Sequence, residues 1–369
     1  MRIDAVELRE IQLPYRAPFE TSFAREDTKA CLLVRVQADG LEGWGEVPAG
    51  RAPLYNEETD DTAWLVLERF LIPPLLGRPA PRPAEFARSV AHIRRHHMAK
   101  AGLEAALWDL HARREGRSLA AALGGERTAV TVGVSQGIEA TIEELLDRVG
   151  GYLAQGYRRI KIKIKPGWDI EPVRRIRERF GDILLQVDAN SAYDLDAVGT
   201  FRALDGYDLL LIEQPLAEDD LVDHAALQAQ LRTPICLDES IVHARAAQAA
   251  LRLGACRIVN IKQARVGGLS EAVAIHDLCR AHGVPVWCGG MLETGIGRAA
   301  NLALASLPNF TLPHDLSASD RYFQEDLIDP PVVLNPDGTI TVPTGPGLGV
   351  EIVTDRVERA TVRRARFAA

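Results

Sequence analysis

Cysteine is sparse and unpatterned in this 369-residue chain: Cys31, Cys236, Cys256, Cys279 and Cys288 are odd in number and contain no C-x-x-C pair. That spacing excludes a disulfide framework and a zinc knuckle, and it points to a reducing cytoplasm. No uninterrupted apolar run reaches membrane-spanning length. The opening Met1-Arg2-Ile3-Asp4-Ala5-Val6-Glu7 alternates like a strand and lacks the apolar core of a signal peptide, so a soluble protein without a membrane partner is expected. Basic charge is not in excess either. With 43 Lys and Arg against 51 Asp and Glu, the net charge is −8, which argues against nucleic acid as a partner because phosphate contacts need clustered cations. The Arg-rich stretches Arg174 to Arg179 and Arg356 to Arg366 are interrupted by Glu or apolar residues and read as solvated faces. Aromatic residues are only 6%, but 47% of the chain is hydrophobic, enough over this length for a substantial core and two domains.

The N-terminal region, residues 1–125, opens on apolar runs such as Ala30 to Val36 that read as antiparallel strands. Helical spacing follows at Ala63 to Phe70 and Glu85 to Arg114, separated by the Pro-rich Pro73 to Pro83. Strands followed by helices predict an α+β domain. In residues 126–320, short runs rich in Val, Ile and Leu alternate with amphipathic stretches. The runs are Val130 to Val134, Ile160 to Ile164, Ile183 to Val187, Leu209 to Ile212, Ile235 to Leu237, Ile258 to Ile261, Val284 to Trp287, and a weaker one near Phe310. This pattern predicts an α/β fold, a modified TIM barrel of (β/α)7β type whose strands are buried on both faces. A doubly wound open sheet is the alternative, but Gly267-Gly268 and Gly289-Gly290 do not make its G-x-G-x-x-G turn. The Pro- and Gly-rich segment 321–369 leaves the barrel pattern and is expected to return to the first domain and complete it.

Charged residues stand at the C-terminal ends of five successive strand candidates, Lys163, Asp188, Glu213, Asp238 and Lys262, at intervals of 25, 25, 25 and 24 residues. A barrel repeats each strand and helix at a near-constant interval and gathers its functional groups at the carboxyl ends of its strands, so these five side chains should share one mouth. Three neighbouring carboxylates repel one another unless a cation lies between them. Oxygen-only ligands favour Mg²⁺, with Mn²⁺ as an alternative, over Zn²⁺. The competing reading makes the acids solvent-exposed helix N-caps. Within Ile160-Lys161-Ile162-Lys163-Ile164-Lys165 strict alternation puts the three lysines on one face. On an open edge that face would be solvated; in a barrel it points inward, where an unpaired ammonium is unfavourable. A lysine base needs a pKa lowered from about 10.4 to roughly 7 or 8. Lys161 beside Lys163, and Arg265 three residues beyond Lys262, are candidates for that neighbouring positive charge. The histidines show neither H-E-x-x-H nor ligand spacing, no G-x-S-x-G elbow is present, and Trp108-Asp109 and Trp44 read as packing and turn residues respectively.

With Lys161-Ile162-Lys163, Asn260-Ile261-Lys262-Gln263-Ala264-Arg265-Val266-Gly267-Gly268 and Trp287-Cys288-Gly289-Gly290-Met291-Leu292-Glu293-Thr294-Gly295 on view, the chain resembles the enolase superfamily over nearly its whole length. Within the muconate-lactonizing subgroup it is most similar to o-succinylbenzoate synthases that also racemise N-succinylamino acids. The resemblance implies Lys163 and Lys262 as acid and base on opposite faces of the substrate, and Lys161 as the group holding its carboxylate and tuning Lys163. It implies Asp188, Glu213 and Asp238 as Mg²⁺ ligands with Asn190 close by. It places Ser135, Gly290, Met291 and Leu292 against a succinyl arm, and Phe19 with its following loop over the mouth. It also implies a homo-oligomer. A dipeptide epimerase, a muconate-type cycloisomerase and a non-catalytic binding protein are the other readings. Lys165 and Gln263 depart from the Glu and Pro expected at their positions, and neither carries chemistry.

Overall fold

The computed structural model describes residues 1–369. Its N-terminal sheet starts with the long antiparallel strands β1 (Ile3–Glu20) and β2 (Arg25–Ala38), followed by β3 (Leu41–Val47). Between β2 and β3 the chain reverses at Asp39-Gly40, with φ of 49° and 78°. Two positive φ values in succession are what a two-residue hairpin turn needs, and Asp-Gly adopts them readily. Helices α1 (Asp60–Val66), α2 (Pro83–Ser89), α3 (His97–Arg114) and α4 (Leu119–Leu123) follow. The sequence pattern predicts a single helix over Glu85 to Arg114; the structure has two. Arg95 and His96 turn left-handed, at φ 55° and 50°, and the buried Glu58 carboxylate accepts hydrogen bonds from the Met98 and Ala99 N–H groups at 2.7 and 3.1 Å, which starts α3 afresh.

Helix α3 lies against β3 at a separation only glycine permits. A Cβ on Gly45 would fall 2.0 Å from the Gly102 carbonyl oxygen, and one on Gly43 2.1 Å from that of Ala106. Trp44, expected in a turn, is therefore inside β3, buried, with its N–H on the Asp109 carboxylate at 2.9 Å. Apolar side chains of β1, β2 and β3 and of α1, α2 and α3 make one core cluster; a larger one fills the barrel and its helices.

The second region runs β4 (Ala129–Thr131), β5 (Val134–Gln136), α5 (Ile142–Gln155), β6 (Arg159–Lys163), α6 (Ile170–Phe180), β7 (Leu184–Asp188), α7 (Val198–Leu204) and β8 (Ile212–Glu213). It continues with α8 (Leu221–Gln228), β9 (Ile235–Leu237), α9 (Ala244–Leu253), β10 (Ile258–Ile261), α10 (Gln263–Val266), α11 (Leu269–Ala281), β11 (Val286–Cys288) and α12 (Gly295–Ala305). Strands β5 to β11 form one parallel sheet in sequence order. The weak run near Phe310 closes the ring by isolated parallel bridges, Phe310 to Val286 on one side and His314 to Val132 on the other. Side-chain caps start the barrel helices: Thr141 for α5, Asp220 for α8 and Thr294 for α12. The predicted run Val130 to Val134 is split into β4 and β5, and between them Gly133 packs on Arg159, where a Cβ would meet its guanidinium at 2.6 Å. Strand β6 likewise ends at Lys163, so Lys165 leaves the inward face and pairs with Glu20 at 3.7 Å.

After the barrel the chain forms β12 (Ile328–Asp329), β13 (Thr339–Thr341), β14 (Glu351–Ile352), α13 (Thr354–Ala360) and β15 (Thr361–Ala368). Strand β13 pairs with β4, and β15 lies antiparallel beside β1, with Leu8 opposite Ala365.

Candidate active site

The strand pairing brings the charged residues together. Lys163 is opposite Asp188 and Asp188 opposite Glu213 in the parallel register, while Asp238 follows β9 and Lys262 follows β10. Seen around the barrel mouth, Lys163 and Lys262 flank the three acids. Lys161 Nζ is 3.0 Å from both Asp188 Oδ2 and Glu213 Oε2. Lys163 Nζ donates to Asp188 Oδ2 and to Asn190 Oδ1, each at 2.6 Å. Across the mouth, Lys262 Nζ donates to Asp238 Oδ2 at 2.6 Å and to the Tyr55 hydroxyl at 3.1 Å. Asn190 Nδ2 continues to Glu239 Oε1 at 2.7 Å, and Asn260 Nδ2 steadies Glu213 Oε1 at 2.7 Å. All of these side chains are buried except Tyr55, which is half-buried.

No three His, Cys, Asp or Glu side chains converge as a ready-made metal cage. Ammonium groups lie between the acids instead, Lys161 linking Asp188 to Glu213 while Lys262 and Arg265 share Asp238. The acids do not all respond alike to this burial. Burial, then repulsion from Asp188, pushes Glu213 up to about 8; burial and the charges of Asp238 and Asp188 push Glu239 up to about 7. Asp188 and Asp238 move the other way, because burial raises them but their lysine partners lower them by more. Lys262 is the point at which the sequence reading needs correction. Burial lowers its pKa, but the Asp238 carboxylate raises it further, and Arg265 is engaged with that same carboxylate rather than depressing Lys262.

Above the acids opens a cavity of about 490 Å³. Ser135, Phe19, Gly290, Met291 and Leu292 all line it together with Lys161, Lys163, Asn190 and Lys262. The Ser135 hydroxyl has no hydrogen-bond partner of its own. Leu292 is held at φ 53°, and Glu293 Oε2 accepts from the Met291 N–H at 2.8 Å, so this loop after β11 is fixed from beneath.

Residues 4–124 match the mandelate racemase/muconate lactonizing enzyme N-terminal domain, and residues 144–356 match the enolase C-terminal domain-like model. The chain belongs to the enolase superfamily. It is 53% identical over 365 residues to an N-succinylamino acid racemase from Amycolatopsis sp, covering 99% of both chains. It is equally 53% identical over 362 residues to an o-succinylbenzoate synthase from Geobacillus kaustophilus, covering 98% of this chain and 96% of that one. A solved enolase-superfamily structure from Listeria innocua superposes with a TM-score of 0.96 at 41% identity, covering 100% and 99% of the two chains.

Three residues in this enolase-superfamily mouth are ones that sequence reasoning missed. Tyr55 comes from an aperiodic segment of the N-terminal region and reaches Asp238 Oδ1 at 3.2 Å. Asp315 follows the weak eighth run and stands 2.7 Å from Lys161 Nζ and 2.6 Å from the buried Arg159 guanidinium. The strand-end rule that selected Lys163 and Asp188 would have reached Asp315 if it had been continued to that run. Lys29, on β2, also lines the cavity, and nothing in its alternating strand sets it apart from a solvated lysine.

Proposed function

We propose that this protein is an o-succinylbenzoate synthase, an N-succinylamino acid racemase, or one site doing both. The observation that carries the reading is the pair of buried lysines, Lys163 and Lys262, facing each other across three acids on adjacent strands. Both activities named for the relatives at 53% identity begin with removal of a proton α to a carboxylate.

In this reading Lys161 receives the substrate carboxylate. Lys163, once freed from Asp188 and neutral, takes the α-proton from one face; Asn190 orients its Nζ. In the synthase reaction the hydroxyl on the adjacent carbon then departs as water, taking the proton that Lys163 has just accepted. In racemisation Lys262 instead returns a proton from the opposite face, and the roles reverse for the other enantiomer. Three carboxylates from adjacent strands, with no nitrogen or sulfur donor among them, fit a hard divalent cation. Asp188, Glu213 and Asp238 would hold it, Mg²⁺ before Mn²⁺. When bound, it supplies positive charge against the negative charge that develops on the substrate carboxylate.

The test is turnover by Lys163→Ala and Lys262→Ala with Mg²⁺ present, on the cyclohexadiene hydroxy acid, an N-succinylamino acid, a dipeptide and muconate. Loss of a general base predicts a fall of about 10²- to 10⁴-fold on the succinyl-bearing substrates, with the thermal midpoint retained. Wild-type activity confined to dipeptides or muconate, or undiminished turnover by either variant, would end the reading.

A further inference from the structure

A lysine head group buried in a cavity without a counter-ion calls for a physical account, and Lys29 is such a group. It projects from β2, is 4% exposed and lines the cavity above the acids. Its one hydrogen bond is to the Met291 carbonyl oxygen, at 2.8 Å. An ammonium has three donors, so two remain unused. Glu46, whose carboxylate feels the Lys29 charge at longer range, is already committed to the Thr294 hydroxyl and N–H and to the Gly297 N–H. The other cations on the cavity rim do not share this situation: Arg25 is exposed and paired with Glu20 at 3.4 Å, and Arg51 is exposed.

Building on the proposed function, we infer that Lys29 is a specificity-determining residue that pairs with the carboxylate at the far end of the substrate's succinyl arm. The reacting carboxylate belongs at Lys161, beneath the cavity. Lys29 reaches the same cavity from the N-terminal sheet, and its contact with Met291 ties it to the loop flanking the arm's path. A dicarboxylate therefore finds a cation for each end. An acyl arm ending in methyl leaves Lys29 buried and unpaired, and the α-ammonium of a dipeptide meets a like charge. Burial makes that difference large, because a partly desolvated charge gains far more from its partner than an exposed one.

The experiment compares wild type, Lys29→Met and Lys29→Arg on N-succinylphenylalanine and N-butanoylphenylalanine, with racemisation followed by polarimetry and binding by calorimetry, both with Mg²⁺. Lys29→Met is expected to raise KM and Kd at least tenfold more for the succinyl compound than for the butanoyl compound, with kcat on the former within about threefold; Lys29→Arg should recover most of the difference. Equal losses on both compounds would reduce Lys29 to a support for the Met291 loop and overturn the inference, as would no loss on either. Should Lys29→Met not fold, inhibition of the wild type decides: succinate should bind at least tenfold tighter than butyrate, and equal binding overturns the inference. Wild-type turnover of neither acylamino acid nor the cyclohexadiene hydroxy acid would defeat the proposed function itself, whereas turnover of both acyl compounds without a Lys29-dependent preference defeats only the role of Lys29.

Discussion

Asp315 sits between two buried cations, 2.6 Å from Arg159 and 2.7 Å from Lys161, and burial, which opposes its ionisation, is outweighed first by Arg159 and then by Lys161. Taking away one member of such a group leaves uncompensated charge in a low-dielectric interior, which typically destabilises by about 3 to 5 kcal/mol. Asp315→Asn should lower stability by that amount in chemical denaturation and should also reduce turnover, because Lys161 loses one of its three anchors. A variant of unchanged stability would mean that the Arg159 and Lys161 charges are neutralised elsewhere. At this scale the sequence disclosed what the barrel repeat disciplines. Lys163, Asp188, Glu213, Asp238 and Lys262 are legible because each ends a strand at a near-constant interval. Tyr55, Asp315 and Lys29 were not, since tertiary packing alone carries them to the mouth from segments whose local pattern is irregular or ordinary.

Elements make their own demands, and helix α3 makes two. Its first turn is held by Glu58, which burial pushes up to about 7 despite the Met98 and Ala99 N–H groups that pull it down. A carboxyl whose folded-state pKa is raised binds its proton longer in the native than in the unfolded state. Stability from this group is therefore intact below pH 4.5 and declines as pH climbs towards 7. Relative to Glu58→Gln, the wild type should lose up to about 3 kcal/mol across that window, read as the difference in unfolding free energy at pH 4.5 and pH 7.5. A constant difference would show that Glu58 ionises normally. The second demand is the flat contact with β3. Gly45→Ala drives a methyl against the Gly102 carbonyl and should cost about 1 to 3 kcal/mol or more, measurable as a lowered thermal midpoint. The break between α2 and α3 was hidden from the periodicity because the apolar spacing runs through it; a carboxylate some forty positions earlier in the chain decides where the helix restarts.

For the molecule as a whole, the arrangement around the acids predicts linkage between metal and stability. If Asp188, Glu213 and Asp238 bind Mg²⁺ in the folded state alone, Mg²⁺ at a hundred times its Kd should add about 2.7 kcal/mol, and a chelator should remove it. Thermal melts with and without Mg²⁺ check this, and Asp238→Asn should abolish the response. The parallel strands were legible as buried aliphatic runs, and the eighth, reduced to bridges at Phe310 and His314, was the weakest run for the same physical reason: few of its residues sit on the ladder. No helix is long and apolar enough to cross a membrane.

One pairing orders events in time. Strand β1 is made first, yet its partner on one side, β15, emerges from the ribosome only after every barrel strand. Throughout synthesis that edge of the N-terminal sheet stays open, offering bare N–H and C=O groups to any passing strand. The risk of mispairing at β1 is thus greatest while the nascent chain is incomplete, and it falls when β15 covers that strand and leaves an Arg-rich edge in its place.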